Sequence, residues 1–86
     1  MKFKATVRVM PKPSVLDPQG AALERALRTM GGEGVGSVRV GKRIEIVLDG
    51  PGEAEVMELV ARWADQLLAN PNMETFGLEL VALDEA

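Results

Sequence analysis

Most enzyme chemistry at neutral pH draws on histidine, cysteine or tyrosine, and this 86-residue sequence contains none of the three. That excludes nucleophilic triads of the Ser/His/Asp and Cys/His kinds, zinc sites built on His or Cys, thiol redox centres, iron–sulfur clusters and disulfides. Proton transfer is left to thirteen Asp and Glu and ten Lys and Arg side chains. The loops offer no grouped pair of carboxylates, which weighs against a stand-alone enzyme. Gly36-Ser37-Val38-Arg39-Val40-Gly41-Lys42 fits the first seven positions of a G-x-x-x-x-G-K phosphate loop, but Arg43 stands where that loop needs Ser or Thr. Its interior also reads as a strand, and a second strand follows where a helix would be required. Gly31, Gly32, Gly34 and Gly36 follow a helix and lead into a strand, the reverse of a dinucleotide loop. Neither catalytic residues nor a cofactor or metal site emerges.

The segment from Pro11 to Gly20 is less easily explained by packing alone. Asp17 before Pro18 reads as a helix N-cap and first turn, which puts Gly20 at the third helical position. Glycine there costs about 0.5–1 kcal/mol relative to alanine, a cost tolerated where a backbone or a ligand must come close. Position 20 is therefore a candidate for such a close approach, and Gly41-Lys42 and Asn70-Pro71 are weighed beside it. Each has a plainer reading: Asp17 as a cap, Gly41-Lys42 as a turn with a solvated lysine, Asn70-Pro71 as a helix stop.

Elements of alternating pattern must hold these residues. Phe3, Ala5, Val7 and Val9 alternate with charged and polar neighbours, the period of a strand with one buried face. Pro11 and Pro13 end central pairing, and a loop runs to Leu16. A helix from Asp17-Pro18 carries the stripe Leu23, Ala26, Leu27, Met30 and stops at Gly31-Gly32. Val35, Val38 and Val40 suggest a second strand, joined at Gly41-Lys42 to a third carrying Ile44, Ile46 and Leu48 as a β-hairpin. A second helix follows Gly50-Pro51, with Glu53 near its third position and an unbroken stripe of Val56, Leu59, Val60, Trp63, Ala64 and Leu67. Asn70-Pro71 ends it, and Phe76, Leu78, Leu80 and Ala82 mark a closing strand.

The order βαββαβ predicts one α+β domain over residues 1–86, a ferredoxin-like sandwich of a four-stranded antiparallel sheet with both helices on one face. Its open face would mix Lys4, Thr6 and Arg8 with Glu45, Val47, Glu79, Val81 and Leu83, and pairing with a second copy would finish so small a fold. Several modules of this order bind RNA by stacking bases on aromatic residues, but only Phe3, Trp63 and Phe76 are aromatic here and the net charge is −3. No apolar run exceeds the four residues from Leu80 to Leu83, too short to span a bilayer, and the first residues lack the apolar stretch of a signal peptide. A cytoplasmic location is expected.

Taken together, several stretches resemble the PurS family, the small subunit of phosphoribosylformylglycinamidine synthase. They are Val9-Met10-Pro11-Lys12, Val15-Leu16-Asp17-Pro18-Gln19-Gly20, Ala26-Leu27, Val38-Arg39-Val40-Gly41-Lys42, and Leu67-Leu68-Ala69-Asn70-Pro71 with Glu74. The resemblance covers nearly the whole chain and departs at Pro13, Ala64, Asn72 and Phe76. It implies a non-catalytic subunit that, as a dimer or tetramer, joins a glutaminase (PurQ) to an ATP-dependent synthetase (PurL) and assists the passage of ammonia, with Lys12, Asp17, Gln19, Gly20, Arg39, Gly41, Lys42, Asn70, Pro71 and Glu74 as candidates for contact with those partners. ATP and Mg would then be used by the synthetase and no cofactor would be bound by this chain. The alternative is an amino-acid-sensing module of the ACT kind, which shares the element order and would show a thermal shift with free amino acids.

Overall fold

The computed structural model describes residues 1–83. Three strands, β1 (Lys2–Pro11), β2 (Lys42–Asp49) and β3 (Glu74–Leu83), form an antiparallel sheet of order β2-β1-β3. The helices are α1 (Pro18–Thr29) and α2 (Glu53–Trp63), the latter running into a π-helical turn at Ala64–Leu68. β1 is central, pairing from Lys2↔Asp49 to Val9↔Lys42 on one side and from Lys2↔Leu83 to Pro11↔Glu74 on the other. Pro11, having no N–H to give, occupies the last rung, and Lys12 N then donates to Met73 O at 2.9 Å.

The alternation in β1 does what its period requires. Phe3, Ala5, Val7 and Val9 are fully buried against Val56 and Val60 of α2, with Ala64 and Ala69 beyond. Ile44, Ile46 and Leu48 from β2 and Leu78 and Leu80 from β3 flank this core. Each large side chain so placed contributes about 1.5–3 kcal/mol of burial. On the other face, Lys4 pairs with Glu45 at 3.5 Å and Arg8 with Glu79 at 3.1 Å, and Thr6 is buried in register between the two carboxylate-bearing positions.

Three expectations are corrected. The sheet has three strands, because residues 35–40 join no ladder among the described residues and no hairpin forms at Gly41-Lys42. The hydrogen-bonding groups of that stretch are spent elsewhere: Val40 N donates to the Asp17 carboxylate, and the Arg39 side chain turns away to backbone carbonyls of residues 11 and 12. The stripe of α2 is also broken. Ala69 N donates to Ala64 O at 2.9 Å, an i→i+5 bond that inserts a residue into the turn. The insertion rotates Leu67 out to 80% exposure and brings Leu68 and Ala69 to the core in its place. Finally, among the described residues only α2 covers the sheet. α1 starts and stops as read, capped by Asp17 and closed by Gly31 at φ 97°, with Gly32 N reaching Leu27 O and Gly31 N reaching Arg28 O. Yet Gly20 is its one buried residue, and Leu23, Leu27 and Met30 are 48%, 42% and 82% exposed. The radius of gyration is 16.8 Å, against about 12 Å for a compact chain of this length.

Candidate functional site

Three loops meet where β1 ends: residues 11–20, 38–42 and 70–74. Asp17 ties the first two. Its Oδ1 accepts from Gly20 N at 3.0 Å, the cap that sequence demands, and its Oδ2 accepts from Val40 N at 2.7 Å. These two backbone bonds, in that order, hold the Asp17 carboxyl below the usual carboxylate range, and the Arg39 charge adds to them. Arg39 Nη2 donates to Lys12 O at 2.6 Å and Pro11 O at 3.2 Å, closing a second cross-link between the same two loops.

Gly20 explains itself in this frame. A Cβ built there lies 2.3 Å from Val38 O and 2.5 Å from Asp17 Oδ2, so the helix and the 38–40 segment touch only because position 20 has no side chain. Asp17, Gly20 and Arg39 thus hold the loops in place.

The third loop is ordered from within. Asn70 O accepts from Met73 N and Glu74 N, Asn70 Oδ1 accepts from Asn72 N at 3.1 Å, and Glu74 Oε1 accepts from Asn70 N at 2.8 Å. Against this loop lies a groove of about 310 Å³ that brings Lys12, Pro71 and Glu74 together with Asp65, Ala69, Thr75 and Phe76. A second, larger groove of about 530 Å³ adjoins it at Thr75 and Phe76, and holds Gly41 and Lys42 with Arg8, Met10, Arg43 and Gly77. Five of the ten candidates therefore line two contiguous grooves at one end of the sheet, with Asn70 shaping the loop at their edge. Gln19 lies apart from both, exposed on the first turn of α1.

Sequence reading missed Arg8, Met10, Arg43, Thr75 and Gly77. One signal was present: Gly77 sits between Phe76 and Leu78, in a strand where each neighbour carries a bulky side chain. The titratable groups of the smaller groove, Lys12, Asp65 and Glu74, form no nucleophile and base pair. Among the described residues, no group of three or more acidic side chains is placed to hold a metal ion, and no helix is long and apolar enough to cross a membrane. What the grooves offer is surface: mixed charge, apolar walls and rigid loops.

Comparison with known proteins agrees along the whole chain. Residues 4–82 match the family model PurS, described as phosphoribosylformylglycinamidine (FGAM) synthase. The structure of Thermus thermophilus PurS superimposes with a TM-score of 0.85 at 40% identity, covering 98% of this chain and 100% of that one. A chain in the structure of PurLQS from Thermotoga maritima superimposes with a TM-score of 0.85 at 30% identity, over 94% and 99% of the two chains. Methanocaldococcus jannaschii PurS, one of the subunits of formylglycinamide ribonucleotide amidotransferase in the purine biosynthetic pathway, matches with a TM-score of 0.82 at 33% identity, over 95% and 99%.

Proposed function

The chain belongs to the PurS family, and from that membership we propose that it is the docking subunit that holds a glutaminase and an ATP-dependent synthetase in one complex. It is a subunit of phosphoribosylformylglycinamidine synthase in purine biosynthesis. The complex would convert formylglycinamide ribonucleotide, ATP and glutamine into formylglycinamidine ribonucleotide, ADP, phosphate and glutamate. Glutamine hydrolysis would lie with the PurQ-like partner, and ATP and Mg with the PurL-like partner. This chain would perform neither reaction, since it has no Cys or His to attack an amide and no loop to cradle a triphosphate. Its part would be to fix the two partners so that ammonia passes between them, in the cytoplasm.

The observation that carries this reading is the end-to-end match to a chain of the PurLQS structure. The grooves at the Pro11 end support it, because their loops are cross-linked and so are preorganised for docking. Self-association is supported by α1, whose stripe is left exposed among the described residues, and by Ile44, Ile46 and Leu48, which α2 leaves half-covered. In a homodimer, α1 of one copy seated over β2 of the other would supply the second helix of a ferredoxin-like sandwich. Sedimentation of this chain with the glutaminase and synthetase of the same organism tests the reading. A ternary species that disappears when this chain is omitted is expected, and a glutaminase and synthetase that associate equally well without it would overturn the docking role.

A further inference from the structure

The larger groove reaches all three strands at the Pro11 end of the sheet, and on the open face it is lined by Arg8 and Met10 of β1, Arg43 of β2, and Thr75 and Gly77 of β3, while Lys42, in register with the buried Val9, lines it from the core side. Arg8 and Arg43 stand directly opposite one another across the β1–β2 ladder. Cross-strand neighbours have Cβ atoms about 4.5–5.5 Å apart, and like charges in that relation repel. Arg8 pairs with Glu79 at 3.1 Å and Arg43 with Glu45, two residues along its own strand, at 3.1 Å, and Glu45 also serves Lys4. Lys42 has no ion-pair partner among the described residues. On a chain of net charge −3, the open face here holds Lys4, Arg8 and Arg43 against Glu45 and Glu79, a local excess of positive charge.

Gly77 is the second observation. It faces Arg8 in register on the β1–β3 side, and a Cβ built there meets only Arg8 Nη2, at 3.8 Å. Among the described residues nothing requires glycine there, and glycine in a strand interior weakens the ladder and often marks a site of close approach. The missing side chain leaves open the part of the groove beside Met10, which is 41% exposed.

We propose that this groove receives an acidic segment of a partner subunit, with a carboxylate between Arg8 and Arg43 and an adjoining apolar side chain over Gly77 against Met10. The inference rests on the docking reading above and assigns it a surface. The segment lies across the strands, because the groove is lined from all three of them, so its contacts are made by side chains and not by an added ladder. An anion between the two arginines removes their repulsion, a gain that neither a neutral nor a basic segment provides.

Two variants test this with the full chain. Gly77→Val fills the groove while placing a strand-favouring residue where the Cβ has room, and Arg43→Glu reverses a charge on an exposed side chain. Binding of wild type and variants to the isolated glutaminase and to the isolated synthetase is measured by calorimetry at low and high salt, with thermal melts and sedimentation of each variant alone. The expected result is normal melting and self-association for both variants and at least a tenfold rise in Kd toward one partner. Wild-type binding to that partner should weaken with salt, and that of Arg43→Glu should not. Wild-type binding that neither variant weakens overturns the groove and leaves the docking subunit standing. Failure of the wild type to bind either partner overturns the docking reading itself. A change confined to the self-association of the variants assigns the groove to a second copy and overturns the proposal.

Discussion

Gly20→Ala is the substitution for which two physical arguments predict opposite signs. Judged as an ordinary helical position, glycine to alanine stabilises by about 0.5–1 kcal/mol. In the structure the added methyl would lie 2.3 Å from Val38 O and 2.5 Å from Asp17 Oδ2, nearly 1 Å inside normal contact in both directions. The first neighbour is backbone and cannot rotate away. The second is held by its bonds to Gly20 N and Val40 N, so retreat of either neighbour strains the junction between α1 and the 38–40 segment. Overpacking of this kind costs about 1–3 kcal/mol. With a fixed backbone oxygen this close, the cost falls in the upper part of that range, about 2–3 kcal/mol, and set against the helical gain the net loss is about 1–2.5 kcal/mol, which lowers Tm by about 4–20 °C in a domain of this size. The assay is thermal unfolding by circular dichroism at one fixed protein concentration, since self-association shifts apparent stability. An unchanged or raised Tm would refute the close approach and return position 20 to an ordinary helical site.

Asp17→Asn should lower stability at pH 6, and the gap from wild type should narrow as the pH falls to 3. The folded-state pKa of Asp17 is depressed by the Gly20 and Val40 amides, so its contribution is present above the unfolded value and is lost as pH falls through the folded one. A gap in urea midpoint that stays constant from pH 6 to 3 would show that the carboxylate charge is irrelevant. Arg39→Ala strips the donor from the half-buried carbonyls of Pro11 and Lys12 and should cost about 1–3 kcal/mol in urea unfolding. A loss under about 0.5 kcal/mol would mean that water replaces the guanidinium without penalty. Leu67→Ala should change stability by less than about 0.5 kcal/mol while Phe3→Ala costs about 3–5 kcal/mol. Equal losses would contradict the π-helical turn.

Residues whose pattern was set by contact with one continuous core were legible from sequence. Phe3 to Val9 of β1, the capped start of α1 at Asp17 and its glycine stop at Gly31 all stand where alternation and capping place them. What escaped was set by single hydrogen bonds that no repeat in the sequence marks. Val35, Val38 and Val40 have the spacing of a strand, but one carboxylate from residue 17 takes the Val40 amide, and no local pattern signals a partner 23 positions away. Leu67 fits the helical stripe by count, and a one-residue π insertion suffices to turn it outward. For the same reason, Asp17, Gly20 and Arg39 stood out from their neighbours in sequence, although the structure uses them to join loops. The groove residues Arg8, Arg43 and Gly77 come together only through strand register, which sequence alone does not supply.

The most direct test of the docking account is the synthesis of formylglycinamidine ribonucleotide from purified glutaminase and synthetase, with and without this chain, using glutamine or an ammonium salt as nitrogen source. The account predicts that omitting the chain abolishes glutamine-dependent synthesis and leaves ammonium-dependent synthesis intact, and that the chain alone turns over neither glutamine nor ATP. Full glutamine-dependent synthesis in its absence would contradict the account.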